Sequence, residues 1–196
     1  MVADEVTRLR DSQVAELATS LFGSGVRDLD SAGLAYATVA GVDEDGGLIP
    51  SVVRLWLGAG RWEYAAPSSV ASQPRVVTDF IQRVAQRRGK TVDEVQAAVD
   101  QSLRDLVQGG QVNIGAVTCP LELVAASDEL WRCSVCRRVH AQPSAGVCTR
   151  IGCTGELVVE SADDVESDYY AWLADQEPRR MAVAELTGQT LSLVHI

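Results

Sequence analysis

Apolar residues recur at helical spacing over residues 6–22, at Val14, Leu17, Ala18, Leu21 and Phe22, with Gly23 and Gly25 following. That stripe predicts an amphipathic helix with one face in a core. Residues 32–42 are rich in small side chains and read as a second helix, and Asp43 to Gly47 reads as a turn by composition. Residues 52–57 and 61–65, separated by Gly58 and Gly60, read as a hairpin bearing Trp56, Trp62 and Tyr64. A helix over the first half is the rival reading.

The pattern becomes firmer after Pro74. Val76, Val77, Phe80, Ile81 and Val84 form one helical stripe, while Arg83, Arg87, Arg88 and Lys90 face elsewhere or follow. Thr91 and Glu94 then make a capping box, opening a helix whose buried face is Val92, Val95, Val99, Leu103 and Leu106 and which Gly109 and Gly110 end. Residues 112–114 and 117–124 suit strands. The order helix, helix, strand, strand is that of a winged helix, a fold often used on DNA.

Four cysteines follow in one short stretch. Cys133 and Cys136 form a C-x2-C pair, Cys148 and Cys153 a C-x4-C pair, and the eleven residues between the pairs allow a hairpin that closes a tetrahedral S4 site. This is zinc-ribbon spacing, and four thiolates leave no open position for water or substrate, so Zn²⁺ is expected in a structural role. Cys133, Cys136, His140 and one later cysteine are the alternative ligand set. Cys119, before Pro120, reads as a small buried hydrophobe and a reserve ligand. Disulfides are disfavoured because residues 1–11 carry Asp4, Glu5, Arg8 and Arg10 without an apolar signal core, which implies a reducing, cytoplasmic setting. A redox C-x-x-C is disfavoured by the second pair downstream.

Charge narrows the partners. The chain has a net charge of −10, which disfavours nucleic-acid binding over its whole surface. The stretch 131–158 is the exception: Arg132, Arg137, Arg138 and Arg150 face Glu156 alone, making the ribbon the candidate DNA contact. Glu160, Asp163, Asp164, Glu166 and Asp168 then follow as an acidic linker, and Tyr169, Tyr170, Trp172 and Leu173 cluster at helical spacing. No apolar run approaches the roughly 20 residues that span a bilayer, so no membrane partner is expected.

Catalytic motifs do not emerge. Gly89, Lys90 and Thr91 end a Walker-like string, but Val84 stands where its first glycine belongs, inside a helical stripe. His140 and His195 lie near no recognisable nucleophile or carboxylate pair.

The expected fold class is α+β, with four parts: a helical and hairpin accessory region over 1–72, a winged-helix-like unit over 73–126, a zinc ribbon over 127–160, and an acidic linker with a C-terminal helix over 161–196. Chelation would then unfold the ribbon and spare the helices before Gly109.

The order of the last elements resembles a known family. Leu130-Trp-Arg-Cys-Ser-Val-Cys136, the second cysteine pair, Asp168-Tyr-Tyr-Ala-Trp-Leu173, Arg179-Arg180 and Ala184-Glu-Leu-Thr-Gly-Gln-Thr190 are similar to superfamily 2 DEAD/DEAH-box helicases with a four-cysteine module, including those of antiphage defence systems such as DISARM. The resemblance covers about residues 112–190. Glu185, Thr187, Gly188 and Gln189 match the short motif at the start of the second RecA-like lobe, with Leu186 where the motif has histidine. The resemblance implies a fragment or split-off accessory segment of an ATP-dependent DNA helicase. ATP would be a cofactor only of the full-length machine, and the chain alone would be inactive. Its partners would be DNA, the motor lobes or other defence-system subunits, with Tyr170 and Trp172 as docking residues. A free-standing zinc-ribbon adaptor for a protein partner is the alternative.

Overall fold

The computed structural model describes residues 28–42, 46–61, 72–113 and 120–162, together with residues 13 and 21. Strand β1 (Ala35–Val39) is followed by helices α1 (Leu48–Gly58), α2 (Arg75–Arg88) and α3 (Val92–Leu103). Then come β2 (Val107–Gln108), β3 (Gln111–Val112), β4 (Leu121–Ala125), β5 (Glu129–Cys133), β6 (Val139–His140), a short 3-10 turn (Ser144–Gly146) and β7 (Leu157–Ser161). The described fold is therefore mixed α+β, with three small antiparallel sheets. The helix expected over 6–22, apart from residues 13 and 21, and the aromatic cluster at 169–173 fall outside the described residues, as do Cys119 and residues 62–65.

Two expectations change. Residues 32–42, read as a helix, contain β1, in which buried Ala35, Ala37 and Val39 alternate with half-buried Tyr36 and Thr38. Small side chains are good helix formers, but here the period of two and antiparallel pairing with β4, Ala37 opposite Leu123, decide the outcome. The expected hairpin strand at 52–57 is helical, within α1. That helix buries nine of its eleven residues, including Ser51 and Arg54. A helix enclosed on all sides loses its polar stripe, so its apolar run resembles a strand in sequence.

The other two helices follow the pattern read from sequence, except that α3 ends at Leu103, which leaves buried Leu106 beyond it and Gly109 and Gly110 turning a hairpin instead of ending the helix. On α2, Val77, Phe80, Ile81, Val84 and Ala85 are buried, and Gly89 ends the helix in the left-handed conformation (φ 63°). In α3 the Thr91–Glu94 capping box is formed, and Val95, Val99 and Leu103 are buried; Val92 is exposed. The hairpin β2–β3 turns at Gly109 and Gly110 and pairs Val107 with Val112. The strand expected over 117–124 is described from Leu121 and pairs with β1, so a winged-helix unit is not confirmed.

The ribbon sheet has the order β6–β5–β7, all antiparallel. Its loop packs into the helices. Val147 belongs to the same hydrophobic cluster as Val52, Phe80 and Val99. Ser51 Oγ donates to Ser144 Oγ at 2.7 Å, Gln142 Nε2 donates to Ser51 Oγ at 2.8 Å, and Ala145 N donates to Gly46 O at 2.6 Å. Gly47, at φ 80°, lets this loop approach, because a Cβ there would collide with Gln142 Oε1.

Candidate metal centre

Strand β5 ends at Cys133, fully buried, and the chain reverses at once. Cys133 N donates to Arg138 O at 2.9 Å and Arg137 N donates to Cys133 O at 3.0 Å. Arg137 sits in the left-handed region (φ 61°), which allows this tight return into β6. The second pair is held by its own turn: Cys153 N donates to Arg150 O at 3.1 Å, Arg150 N approaches Cys148 Sγ at 3.5 Å, and Gly152 takes φ 66°. A bridge between Val147 and Glu156 frames this second turn.

These turns bring four sulfurs together. Cys133 and Cys153 Sγ are 3.6 Å apart, Cys136 and Cys148 Sγ are 3.5 Å apart, and all four lie within 4.8 Å of one another. A disulfide needs about 2.05 Å, so none of these is bonded. A tetrahedral ion with metal–sulfur bonds of about 2.3 Å requires sulfur separations of about 3.8 Å. The site fits one ion. Gly155 matters for this fit, because a Cβ there would run into Cys133 Sγ.

The thiols have unequal proton affinities. Burial raises Cys133, but backbone N–H groups of Cys136 and Val135 outweigh it and bring the thiol down to about 7. Burial pushes Cys148 well up, and the neighbouring Cys136 adds to that; burial also raises Cys153. Thiolates this close repel each other, and a cation among them is the natural compensation.

Helix α2 supports the second turn. Arg83 Nη1 donates to Cys148 O at 2.8 Å and to Cys153 O at 2.9 Å, and Nη2 donates to Arg150 O at 3.3 Å. Asp79, one turn earlier, holds the same guanidinium at 2.7 Å. In sequence Arg83 looked like one of several outward arginines, and no local signal separates it from them.

His140 is not one of the clustered ligands. Its ring is fully buried, with Nδ1 3.4 Å from Arg54 Nη1 and Nε2 without a hydrogen-bond partner. Arg54 is itself buried and bonds Asp28 through Nη2 at 2.7 Å and Asp30 through Nη1 at 2.7 Å. Burial raises the Asp30 carboxyl above its usual range despite Arg54 beside it. Asp30 Oδ1 also accepts from Ala141 N at 2.6 Å, tying the ion cluster to the residue after β6. A lone arginine in the apolar run Val52 to Leu57 was a readable signal for this buried cluster.

The four expected DNA-contact arginines separate. Arg132 pairs with Glu160 across β5 and β7 at 2.6 Å. Arg137 is exposed at the first turn. Arg138 and Arg150 line one cleft with Thr149 and the ends of α1 and α2. Glu185, Thr187, Gly188 and Gln189 lie outside the described residues, as do Tyr170 and Trp172. No helix among the described residues is long and apolar enough to cross a membrane.

Comparison with protein-family models, curated proteins and solved structures finds no match to this chain.

Proposed function

We propose that this chain is a non-catalytic, zinc-holding accessory segment of an ATP-dependent superfamily 2 DNA helicase, acting in the cytoplasm through DNA contact or lobe coupling. The observation that carries the metal part is the closed set of four sulfurs within 4.8 Å. Four thiolates complete a tetrahedron, so the ion braces the fold and leaves no position for a reacting water. Tetrahedral thiolate sites take zinc or iron. Zinc is favoured here because a structural S4 site at this spacing is its ordinary environment. The helicase affiliation is supported by the order of the sequence motifs, and ATP belongs to the motor lobes of that larger machine.

Metal analysis of the purified chain tests the first part: about one zinc per chain is expected, and a colourless protein without thiolate-to-iron absorption. Iron in its place, or no metal, would refute it. Titration with labelled DNA at several salt concentrations tests the second. Affinity should fall steeply with salt if arginines contact phosphates.

A second reading, an adaptor for a protein partner, is favoured by the tips of the two cysteine turns. Val135 and Ile151 are 66% and 51% exposed there. Paired aliphatic tips suit a protein surface. Under this reading a partner would be captured and DNA would not bind.

A further inference from the structure

We propose that the cleft between the outer face of the β1–β4 sheet and the ribbon docks a basic peptide of a protein partner, taking one lysine or arginine side chain among Glu122, Tyr36 and Trp131. The inference goes beyond the reading above, because it rests on neither the metal nor DNA contact, and its failure would leave both standing.

Strand alternation builds the first wall. Ala35, Ala37 and Val39 of β1 are buried, so Tyr36 and Thr38 point to the opposite face. The register sets Tyr36 opposite Val124 and Thr38 opposite Glu122, and directly opposed residues of an antiparallel pair share a face. All four line the cleft. Trp131 of β5 and Gln142 after β6 line it from the ribbon, and Ile49 in the first turn of α1 lines it from the helical core. Its volume is about 570 Å³, within the range of sites that take a ligand.

Packing holds these walls in place. Gln142 is buried with both ends of its amide used: Nε2 donates to Ser51 Oγ at 2.8 Å, and Oε1 accepts from Ser144 N. Tyr36 also packs against the cluster of Leu130, Val139 and Ala141. A ligand therefore meets a site that is already formed.

Charge and ring chemistry select the ligand. Glu122 is the one charged residue lining the cleft among the described residues, and its exposed carboxylate makes no hydrogen bond or ion pair among them. Arg88 Nη2 is 3.7 Å from where a Gly46 Cβ would stand, but Arg88 does not line the cleft. An anion meets no cationic side chain there. A cation meets a carboxylate and two aromatic residues, Tyr36 and Trp131, whose rings attract ammonium and guanidinium groups. The net charge of −10 adds steering toward a basic partner. One alkylammonium fills a small part of the volume, and Ile49, Pro50 and Pro143 leave apolar surface for the residues beside it, so a peptide suits the cleft better than a free amine.

Fluorescence anisotropy with a labelled, end-capped peptide of alternating lysine and glycine tests this on the full metal-loaded chain. Binding is expected, and the same peptide with acetylated lysines should bind at least about tenfold more weakly, since the charge is gone. Glu122→Gln should weaken binding roughly three- to tenfold, and Glu122→Lys more. Trp131→Leu should weaken it, while Trp131→Phe keeps a ring and most of the affinity; metal content measured alongside checks that the ribbon is intact in both. Glu129→Gln, at an exposed carboxylate outside the cleft, should have little effect. Free n-butylammonium should compete only at far higher concentration than the peptide. No binding by the unaltered chain, equal binding of the acetylated peptide, or unchanged binding by both Glu122→Gln and Trp131→Leu would overturn the proposal. Equal losses from Glu122→Gln and Glu129→Gln would also overturn it, leaving diffuse charge as the cause. Competition by n-butylammonium at concentrations like the peptide's would overturn the peptide and leave a small amine as the ligand.

Discussion

The guanidinium of Arg83 donates to the carbonyl oxygen of Cys148 at 2.8 Å, across 65 residues of sequence. A side chain of the helical core thus supports the backbone of a candidate metal ligand. The same nitrogen also reaches Cys153 O, so α2 holds both ends of the second cysteine turn.

Arg83→Ala should therefore loosen the metal centre without touching a ligand. Hydrogen bonds to charged groups contribute about 1.5 to 3 kcal/mol each, and the loss of this pair should cost roughly 3 kcal/mol of stability or more by that measure. Denaturant unfolding would give the stability, and transfer of the metal to a chromophoric chelator should be faster. An unchanged transfer rate would show that the helix does not support the turn.

Gly155→Ala places a methyl group against Cys133 Sγ and 3.0 Å from Val135 N. Backbone cannot yield as a flexible side-chain tip can, so one sulfur should move out of the tetrahedron. Weaker metal binding by at least about tenfold, equivalent to 1.4 kcal/mol, is expected in competition with a chelator. Substitution at Gly60, where a Cβ would meet nothing within 4 Å, tests a glycine at φ 69° without such a clash and should leave metal affinity unchanged.

His140 should make stability depend on pH. Burial, then the Arg54 and Arg138 charges, hold its imidazole well below the ordinary value of 6.5. The unfolded chain takes up a proton near pH 6.5 and the folded chain does so only at lower pH, so stability present above about 6.5 is lost as pH falls below it. The slope should approach about 1.4 kcal/mol per pH unit for this one group. His140→Asn should flatten the difference in unfolding free energy between pH 7 and about 5, measured against the unaltered protein at fixed metal. Protonation of thiols destabilises both proteins alike, so the comparison isolates the imidazole.

Chelation should reach beyond the ribbon. Sequence patterning suggested that the helices before Gly109 would be spared, but Gln142 and Ser144 hydrogen-bond Ser51 on α1 and Val147 sits in the helical core. Hydrogen exchange should speed up in α1 around Ser51 on metal removal, and less in α3, whose capping box and buried valines are local. Exchange confined to residues after Gly109 would contradict this.

What the residues announced by themselves was whatever rests on local chemistry. Spacing alone paired Cys133 with Cys136 and Cys148 with Cys153, because two ligands from one tight turn need only a few residues. The Thr91–Glu94 cap and the α2 stripe were equally legible, since both depend on neighbours three or four positions away. Tertiary structure decided the rest. A fully enclosed helix hides its period, so α1 resembled a strand, and β1 became a strand through pairing with residues nearly ninety positions on. Most of all, the partners of Arg54, Arg83 and Arg132, and the cleft that Arg138 and Arg150 line, are set by distant chain segments. One residue type thus forms a buried ion cluster, a support for the metal turn, a cross-strand pair and an open cleft, and only the folded chain distinguishes them.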